Sequence, residues 1–385
     1  MIVLQITFWM LVVLVAYVYA GYPLLLLTLR AFAGARLVAR GSSVPPVTLI
    51  VSAFNERGVI DAKLGNSVAL DYPADKLEIL VVSDASDDGT DEAVERYNDQ
   101  RVDLLRMADR GGKTVGLNAA VPTARGEILV FSDANAMYRP DAIRALVRNF
   151  DDPVVGAVVG ESTYSASIND AERSESAYWR YETAIKRLES DLGSVVGGDG
   201  AIYAIRKECY RPMAADALSD FVNPLQIVAQ GRRCIYEPGA ISVEEAAGSF
   251  DKEFRRKVRI VNRAWRAIMS TKFLLNPFRY GLFAWALISH KLLRWLVPVF
   301  LAVLVVLNIV LLGQHSVYAA ALIVQLLFYG LAVIGAFIRT RYDLPLLLYI
   351  PFYFCLVNIA SLRGICEAYW GRTYTTWSPA RENRR

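Results

Sequence analysis

The stretch GKTVGLNAAVPTARGEILVFSDANA, residues 112–136, joins a helix-like segment to a short apolar strand that ends at an acid. Residues 112–123 have the composition of a helix, and residues 128–131 are four apolar residues in succession. The apolar run leads to Asp133, and Asn135 follows two residues later. A carboxylate at the end of a buried strand is either solvated in a loop or bound to a ligand, because burying an unpaired charge costs free energy.

The same alternation of apolar strands and helix-like stretches extends to either side. Short runs rich in valine, isoleucine and leucine occur at residues 46–54, 78–84, 102–106 and 127–133. Buried strands that alternate with helices predict an α/β domain with a mostly parallel sheet. Ligands of such sheets bind outside the carboxyl ends of the strands.

Polar and mostly acidic residues stand at three of these strand ends, namely Asn55, Glu56, Asp84, Asp133 and Asn135. Any one of the acids is equally well explained as a helix cap. Acids that converge without basic partners repel one another, so together they indicate a bound cation or a ligand rich in hydrogen-bond donors. The chain has two histidines, both in its C-terminal apolar region, so we expect a metal held by oxygen ligands, which suits Mg²⁺ or Mn²⁺.

Composition and motifs argue against several other functions. The net charge is +4, from 42 basic and 38 acidic residues, which gives no support for nucleic-acid binding. The sequence contains neither GxGxxG nor GxxxxGKS/T, which excludes the Rossmann dinucleotide and P-loop classes. The four cysteines form no CxxC pair, and we expect them to be reduced and structural.

Two apolar blocks flank a region of ordinary soluble composition. Residues 3–29 carry no charge and are long enough to span a bilayer, and residues 280–370 are strongly apolar. The first block lacks a basic leader and a clear cleavage site, so a retained helix fits better than a signal peptide. Arginines follow this block and no charge precedes it, so the positive-inside rule places the region at 40–275 in the cytoplasm.

Six motifs occur in an order that resembles a known family. They are AFNE (53–56), VVSDASDDGT (81–90), the stretch 111–135, GGDGAIYAIRK (197–207), LSDFVNPLQIVAQGRRCIYEP (218–238) and RRKVRIVNRAW (255–265). The ordered set resembles the family 2 inverting glycosyltransferases, in the membrane-embedded group related to cellulose, chitin and hyaluronan synthases. The resemblance implies a GT-A domain that binds a nucleotide-sugar at the rim of polar strand ends.

The resemblance also implies roles for residues at this rim. Asn55, Glu56, Asp84 and Lys113 match positions that hold the base and ribose of the donor, a UDP-sugar. Asp133 matches the first acid of the metal-binding DxD motif, where Mg²⁺ or Mn²⁺ bridges the two phosphates of UDP. Asn135 stands where a second Asp is usual, and its amide oxygen can ligate without contributing charge.

Asp220, in the segment LSDF, aligns with the catalytic base of the family. An inverting transfer needs one base, which takes the proton of the acceptor hydroxyl as this attacks the anomeric carbon. The loop that contains Gly198, Asp199 and Gly200 is implied to line the acceptor site, and a plain β-turn is the alternative for it.

Arginines and a tryptophan in 255–266 leave two interpretations open. Arg263 can pair with the pyrophosphate of the donor, and Trp265 can stack on the acceptor sugar. Ala264 separates these two residues, so the match to the family's RxxRW-like motif is imperfect. The alternative is an amphipathic helix whose basic face lies toward lipid headgroups.

These inferences predict five regions of a multi-pass plasma-membrane protein. They are a membrane helix at 1–30, a cytoplasmic GT-A domain at 45–250, interfacial helices at 251–290, membrane helices at 291–366 and a basic tail at 367–385. Three later spans after one N-terminal span would place the tail outside, whereas its arginines favour the inside. A re-entrant segment would reconcile the two.

The predicted activity is transfer of a sugar from a UDP-sugar to the hydroxyl of a growing β-linked polysaccharide. One alternative is a single transfer to a lipid acceptor, either a polyprenyl phosphate or a glycerolipid. Another is a non-catalytic subunit of a polysaccharide export complex. The expected partners are the donor, a polysaccharide or lipid acceptor and the bilayer; accessory export subunits are possible and nucleic acid is not expected.

Overall fold

The computed structural model describes residues 1–164, 170–244, 250–339 and 344–376, without the side chains of 164 and 170–178. The strands are β1 (Val47–Ala53), β2 (Leu77–Ser83), β3 (Val102–Arg106), β4 (Ile128–Asp133), β5 (Met137–Tyr138), β6 (Val155–Tyr164), β7 (Tyr203–Arg206) and β8 (Arg233–Glu244). They form a sheet with the order β3-β2-β1-β4-β7-β6-β8-β5.

The helices of the N-terminal part are α1 (Ile2–Ala16), α2 (Tyr22–Ala33), α3 (Ile60–Val68), α4 (Thr90–Glu95), α5 (Lys113–Thr123), α6 (Ala142–Val147) and α7 (Asp170–Leu192). They continue with α8 (Ser219–Ala229), α9 (Phe250–Ser270), α10 (Pro277–Ala286), α11 (Arg294–Leu311), α12 (Ser316–Ile338) and α13 (Leu346–Tyr369). Two π-helical segments, Tyr17–Gly21 and Leu287–Leu293, follow α1 and α10.

The four strands predicted from the sequence form the parallel half of the sheet. β1 pairs in parallel with β2 and β4, and β2 pairs in parallel with β3. β7 then joins β4 in the antiparallel direction, so the whole sheet is mixed. The α/β class is confirmed. The sequence predicts a mostly parallel sheet, and the structure differs in that β6–β7 and β5–β8 also pair in the antiparallel direction, while β6–β8 pair in parallel.

Apolar side chains on alternate positions of the strands fill two layers, one on each face of the sheet. Ile50, Leu80 and Phe131 belong to the layer that packs against α5, α8, α9 and α10. Leu49 and Val81 belong to the layer on the side of α3, α4 and α6. Successive residues of a strand point to opposite faces, which is why both faces can be covered by helices.

Among the residues that the structure describes, four helical segments are long and apolar enough to cross a membrane: Ile2–Ala33, Pro277–Leu311, Ser316–Ile338 and Leu346–Tyr369. The first packs on the second through a cluster that includes Phe8, Leu304 and Leu311.

The last of the four, α13, lies along the charged helix α9. Near its start, the rings of Phe352 and Phe250 are 5.1 Å apart, and near its end those of Tyr369 and Trp265 are 6.0 Å apart. A β-carbon at Gly364 would lie 2.7 Å from the carbonyl oxygen of Val258, so the two helices approach closely. Both ends of α13 therefore lie against α9.

Candidate active site

The strand register brings the predicted rim residues to one edge of the sheet. Asp133, the last residue of β4, lies opposite Ser52 of β1, and Ala53 of β1 lies opposite Ser83 of β2. The loops that carry Asn55 and Asp84 start directly after these positions. The carboxyl ends of three neighbouring parallel strands thus meet, as the sequence predicts.

Asp84 holds the loop that leads into α5. The N–H groups of Gly111 and Gly112 donate to its carboxylate at 2.8 and 2.9 Å, and the residue is 2% exposed. Gly112 has a φ of +90°, and a β-carbon there would lie 2.1 Å from the carbonyl oxygen of Thr375. Asp84 therefore fixes the start of α5, and its predicted contact with the nucleotide stays a prediction.

Asn55 joins the loops after β1 and β2. Its side chain donates to the Asp87 carboxylate at 2.8 Å and accepts from the Asp87 N–H at 3.0 Å. Its φ of +54° lies in the left-handed region, which Asn adopts more readily than most residues. The N–H of Glu56 donates to Thr90 Oγ1 at 2.9 Å, so both loops form one platform. Base and ribose binding by Asn55 and Glu56 stay predictions.

Lys113 links three parts of the site. Its ammonium lies 2.5 Å from Asp133 Oδ1 and donates to the Gly200 carbonyl at 3.1 Å. The lysine is mostly buried, whereas the Asp133 side chain is 38% exposed. The contact joins the start of α5, the end of β4 and the GGDG loop, and leaves the Asp133 carboxylate accessible to a ligand.

A buried lysine that sequence reasoning missed braces the loop after β4. Lys63 of α3 donates to Ser132 Oγ at 2.8 Å and to the Ala136 carbonyl, and lies 4.2 Å from the centre of the Tyr138 ring. Burial lowers its pKa to about 7, while the negative charges of Asp133 and Glu244 act in the opposite direction. A single lysine in a helix gives no sign of burial in the sequence.

Asp220 lies in the first turn of α8, next to the GGDG loop. The N–H of Gly198 donates to its carbonyl at 2.6 Å, and a β-carbon at Gly200 would lie 3.4 Å from its Oδ2. Its side chain is half-buried. Burial raises its pKa, as do the charges of Asp199 and Asp133, whereas Lys113 and Arg263 lower it.

Asp199 anchors the GGDG loop. Ser162 Oγ donates to its Oδ1 at 2.8 Å, the Ala201 N–H donates to the same atom at 3.2 Å, and Lys186 lies 3.9 Å from Oδ2. The residue is 8% exposed. Acceptor binding by Gly198, Asp199 and Gly200 stays a prediction, although the loop does lie beside Asp220.

Helix α9 presents a row of arginines to the site. Arg256, Arg259 and Arg263 are spaced by three and four residues and so share one face. Arg263 donates to the carbonyls of Asp216 (2.9 Å) and Ala217, just before α8. Burial lowers its pKa to about 10, against the opposing charge of Asp220. Arg263 thus holds the loop before the proposed base, and pyrophosphate binding by it stays a prediction.

Arg259, one turn earlier, is the arginine whose charge interacts with Asp133. Burial lowers the pKa of Arg259, and the negative charge of Asp133 opposes that shift. Trp265 is 6% exposed and packs with Val261 and Ile365 between α9 and α13. Its predicted stacking on the acceptor stays untested, and the structure gives its indole a packing role.

Glu244 is a further acid that no motif in the sequence marked. It is the last residue of β8, and the preceding Val243 pairs with Met137, two residues after Asn135. Burial raises its pKa to about 7, and the charges of Asp133 and Asp199 raise it further, whereas that of Arg256 lowers it.

The donor set suits a hard divalent cation that is only partly held by protein. Asp133 offers a carboxylate, and Asn135 follows it at the same edge. Within the part of the chain that the structure describes, no three His, Cys, Asp or Glu side chains are grouped closely enough to hold a metal alone. Mg²⁺ commonly takes one or two carboxylates and completes its shell with substrate phosphates and water, so these residues fit such an ion.

The mixed sheet with polar strand ends along one edge is the GT-A-like arrangement that the sequence predicts. Residues 48–210 match the family model described as glycosyl transferase family 2.

Similar proteins include one glycolipid synthase and one polysaccharide synthase. The chain is 31% identical to a beta-monoglucosyldiacylglycerol synthase of Synechocystis sp., over 41% of this chain and 33% of the relative. It is 26% identical to the poly-beta-1,6-N-acetyl-D-glucosamine synthase of Staphylococcus aureus, over 54% of this chain and 52% of the relative. Each match thus spans between a third and about half of the relative.

A solved structure matches nearly the whole fold. The mannosyltransferase PcManGT from Pyrobaculum calidifontis, in complex with GDP-Man and Mn²⁺, superposes with a TM-score of 0.70 at 24% identity. The match covers 95% of this chain and 99% of that chain. The fold predicted from the sequence is confirmed by this likeness.

Proposed function

We propose that this protein is a membrane-bound inverting glycosyltransferase that transfers a sugar from a UDP-sugar to an acceptor hydroxyl. The observation that supports it most directly is the meeting of three groups at Gly200. Lys113 contacts its carbonyl and Asp133 at once, and Asp220 Oδ2 flanks its α-carbon. A cation, a carboxylate for a metal and a candidate base thus surround one small residue.

Asp220 takes the proton of the acceptor hydroxyl. A base works best when its pKa lies near the working pH, and burial moves the pKa of Asp220 in that direction. The Gly198 N–H fixes the backbone of Asp220, and the missing side chain of Gly200 leaves space for a hydroxyl beside Oδ2.

The remaining groups act on the leaving diphosphate. Asp133 and Asn135 would hold Mg²⁺ or Mn²⁺, which when bound supplies Lewis-acid stabilisation of the negative charge on UDP. Lys113, which pairs with Asp133, and Arg259, whose charge interacts with that of Asp133, are the cations that we assign to that charge. The solved mannosyltransferase of the same fold, in complex with GDP-Man and Mn²⁺, supports the proposal of a metal.

The acceptor predicted from the sequence is a growing β-linked polysaccharide, and the geometry favours the alternative of a lipid acceptor. A cavity of about 580 Å³ between the membrane helices has mainly apolar walls, including Leu301, Val305, Val333 and Leu356. Such walls suit hydrocarbon and offer few partners to the hydroxyls of a sugar chain. The retained Asp133, Lys113 and Asp220 argue against a non-catalytic export subunit.

For the membrane arrangement we propose a multi-pass protein of the cell membrane with the catalytic domain in the cytoplasm and three crossings. α13 lies flat against α9, so the tail returns to the catalytic side, where the Arg372 carbonyl accepts from Asn262 at 3.1 Å. This arrangement removes the conflict between four spans and an arginine-rich tail.

Labelling with a membrane-impermeant thiol reagent tests this topology. With Cys355 and Cys366 replaced by serine, a cysteine at Gln314 is expected to react in intact cells and one at Thr373 only after permeabilisation. Reaction of both from outside would contradict three crossings.

The activity is tested with membranes and a panel of labelled UDP-sugars, by sizing the product and measuring UDP release. We expect a product carrying one added sugar and extractable into organic solvent. A long water-soluble chain would restore the polysaccharide acceptor, and the absence of UDP release with every donor would remove the transferase.

A further inference from the structure

The cavity between the membrane helices has the depth of one bilayer leaflet. Its wall on α12 runs from Tyr329 to Arg339. Ten residues of helix rise about 15 Å, half of a hydrocarbon core that is about 30 Å thick. Arg339 follows the last residue of α12 and forms an ion pair with Asp251 of α9. The cavity therefore starts at the catalytic side and reaches roughly to the bilayer centre.

The mouth of the cavity carries a cation suited to a phosphate. Arg339 Nη2 lies 2.9 Å from Asp251 Oδ1, and its guanidinium lies over the rings of Phe250 and Phe352 at 5.9 and 5.4 Å. Its Nε is buried and, among the residues that the structure describes, has no hydrogen-bond partner. Asp251 is 70% exposed, so its carboxylate can be displaced without leaving a buried charge unpaired.

Helix α9 connects this mouth to the proposed base. Asp251 lines the cavity, and Arg263, twelve residues later, interacts with the charge of Asp220. Twelve residues of helix correspond to about 18 Å. A bare phosphate or a glycerol at Arg339 does not reach that far, whereas a phosphate that carries sugars does. The arginine-bearing face of α9 lies along this path.

We propose that the cavity binds the hydrocarbon chain of a lipid-linked sugar phosphate, which is the acceptor in the proposed function. The chain lies between α11, α12 and α13, the phosphate is bound by Arg339, and the sugar portion extends along α9 to place its hydroxyl at Asp220. This inference rests on the proposed function for the membrane orientation of the cavity and for the placing of the hydroxyl at Asp220.

The test compares two alanines on the same helix. Ala336 lines the cavity and Ala320 does not, and both are exposed on α12. The probe is a polyprenyl phosphate that carries a short oligosaccharide, added to the purified full chain in nanodiscs and measured by native mass spectrometry. We expect A336F to weaken probe binding about tenfold or more, equivalent to about 1.4 kcal/mol, and A320F to leave it unchanged.

A second blocking variant and a headgroup variant keep the test decisive. Ala302→Phe fills the cavity from α11, and R339Q is expected to weaken the phosphate probe while leaving the uncharged polyprenyl glycoside unaffected. Unchanged binding in both filling variants would overturn the cavity as the site, and weakening by A320F to the same degree would mean bulk-lipid partitioning only.

Turnover separates this inference from the proposed function. With the same oligosaccharide lacking its lipid, A336F is expected to release UDP as fast as the unmodified chain. If no acceptor supports UDP release but A336F still loses the probe, the activity fails and the lipid site stands. If turnover of the lipid-linked acceptor survives the filling of the cavity, the lipid site fails and the activity stands.

Discussion

Charged side chains occur both at the sheet edge where β1, β2 and β4 end and on the helix α9. The two regions differ in how far these side chains are exposed and in what they bind. At the strand edge, backbone N–H groups bind Asp84, and Asp133 remains 38% exposed beside a single lysine. On α9, Arg263 is 8% exposed, and its guanidinium donates hydrogen bonds to two backbone carbonyls. The edge presents charge to a ligand, whereas this part of α9 uses charge to position the loop before Asp220.

The largest expected effect comes from Asp220, where the two regions meet. D220N removes the base and keeps the shape, so we expect kcat to fall by about 10²–10⁴, the usual contribution of general base catalysis. Donor affinity, measured by calorimetry, is expected to change little. The matched control is D216N, which removes the charge of an acid that lies four residues before Asp220 and pairs with Arg266. Near-normal turnover of D220N would remove the base assignment.

The next effect concerns the exposed acid of the strand edge. Asp133→Ala removes the only carboxylate of the proposed metal pair, so we expect donor binding in the presence of Mn²⁺ to weaken by about 10²-fold, near 2.7 kcal/mol. The affinity without metal should hardly change. Asp103→Ala, an exposed acid of β3, serves as the control. If Mn²⁺ strengthens donor binding equally in both variants, Asp133 does not hold the metal.

A pair of arginine variants tests the contrast within α9 itself. Arg259 interacts electrostatically with Asp133, and Arg263 donates to the loop before Asp220. We expect R259Q to raise the KM for the donor about tenfold, the effect of losing a charge-assisted contact of about 1.4 kcal/mol. R263Q should instead lower kcat with little change in that KM. The opposite assignment, with R263Q acting on KM, would restore the pyrophosphate role predicted for Arg263.

The strand edge could be predicted from the sequence because its signals are local. Each strand is a short apolar run, and parallel pairing then brings Asn55, Asp84 and Asp133 together whatever the rest of the chain does. The structure shifts the four predicted strand boundaries by no more than one residue.

The residues that sequence reasoning missed depend on contacts between distant elements. Lys63 lies near Asp133 because α3 packs against the loop after β4, and Glu244 lies near it because β8 pairs with β5. The packing of α13 along the charged helix α9 likewise had no signal in the sequence, since α13 has the length and apolar composition of a crossing helix.

The smallest expected effect is a displacement of the pH profile. Because burial raises the pKa of Asp220, the active, deprotonated form is lost as the pH falls through that raised value, so the acid limb of kcat/KM should lie above the range of an ordinary aspartate. Arg263 lowers this pKa through its positive charge, and R263Q therefore should move the limb to still higher pH. Arg125, 66% exposed and far from the site, provides the control R125Q. If the acid limb moves to lower pH in R263Q, or moves equally in both variants, the titrating group is not Asp220. The positioning role of Arg263 on α9 would then have no demonstrated link to the base.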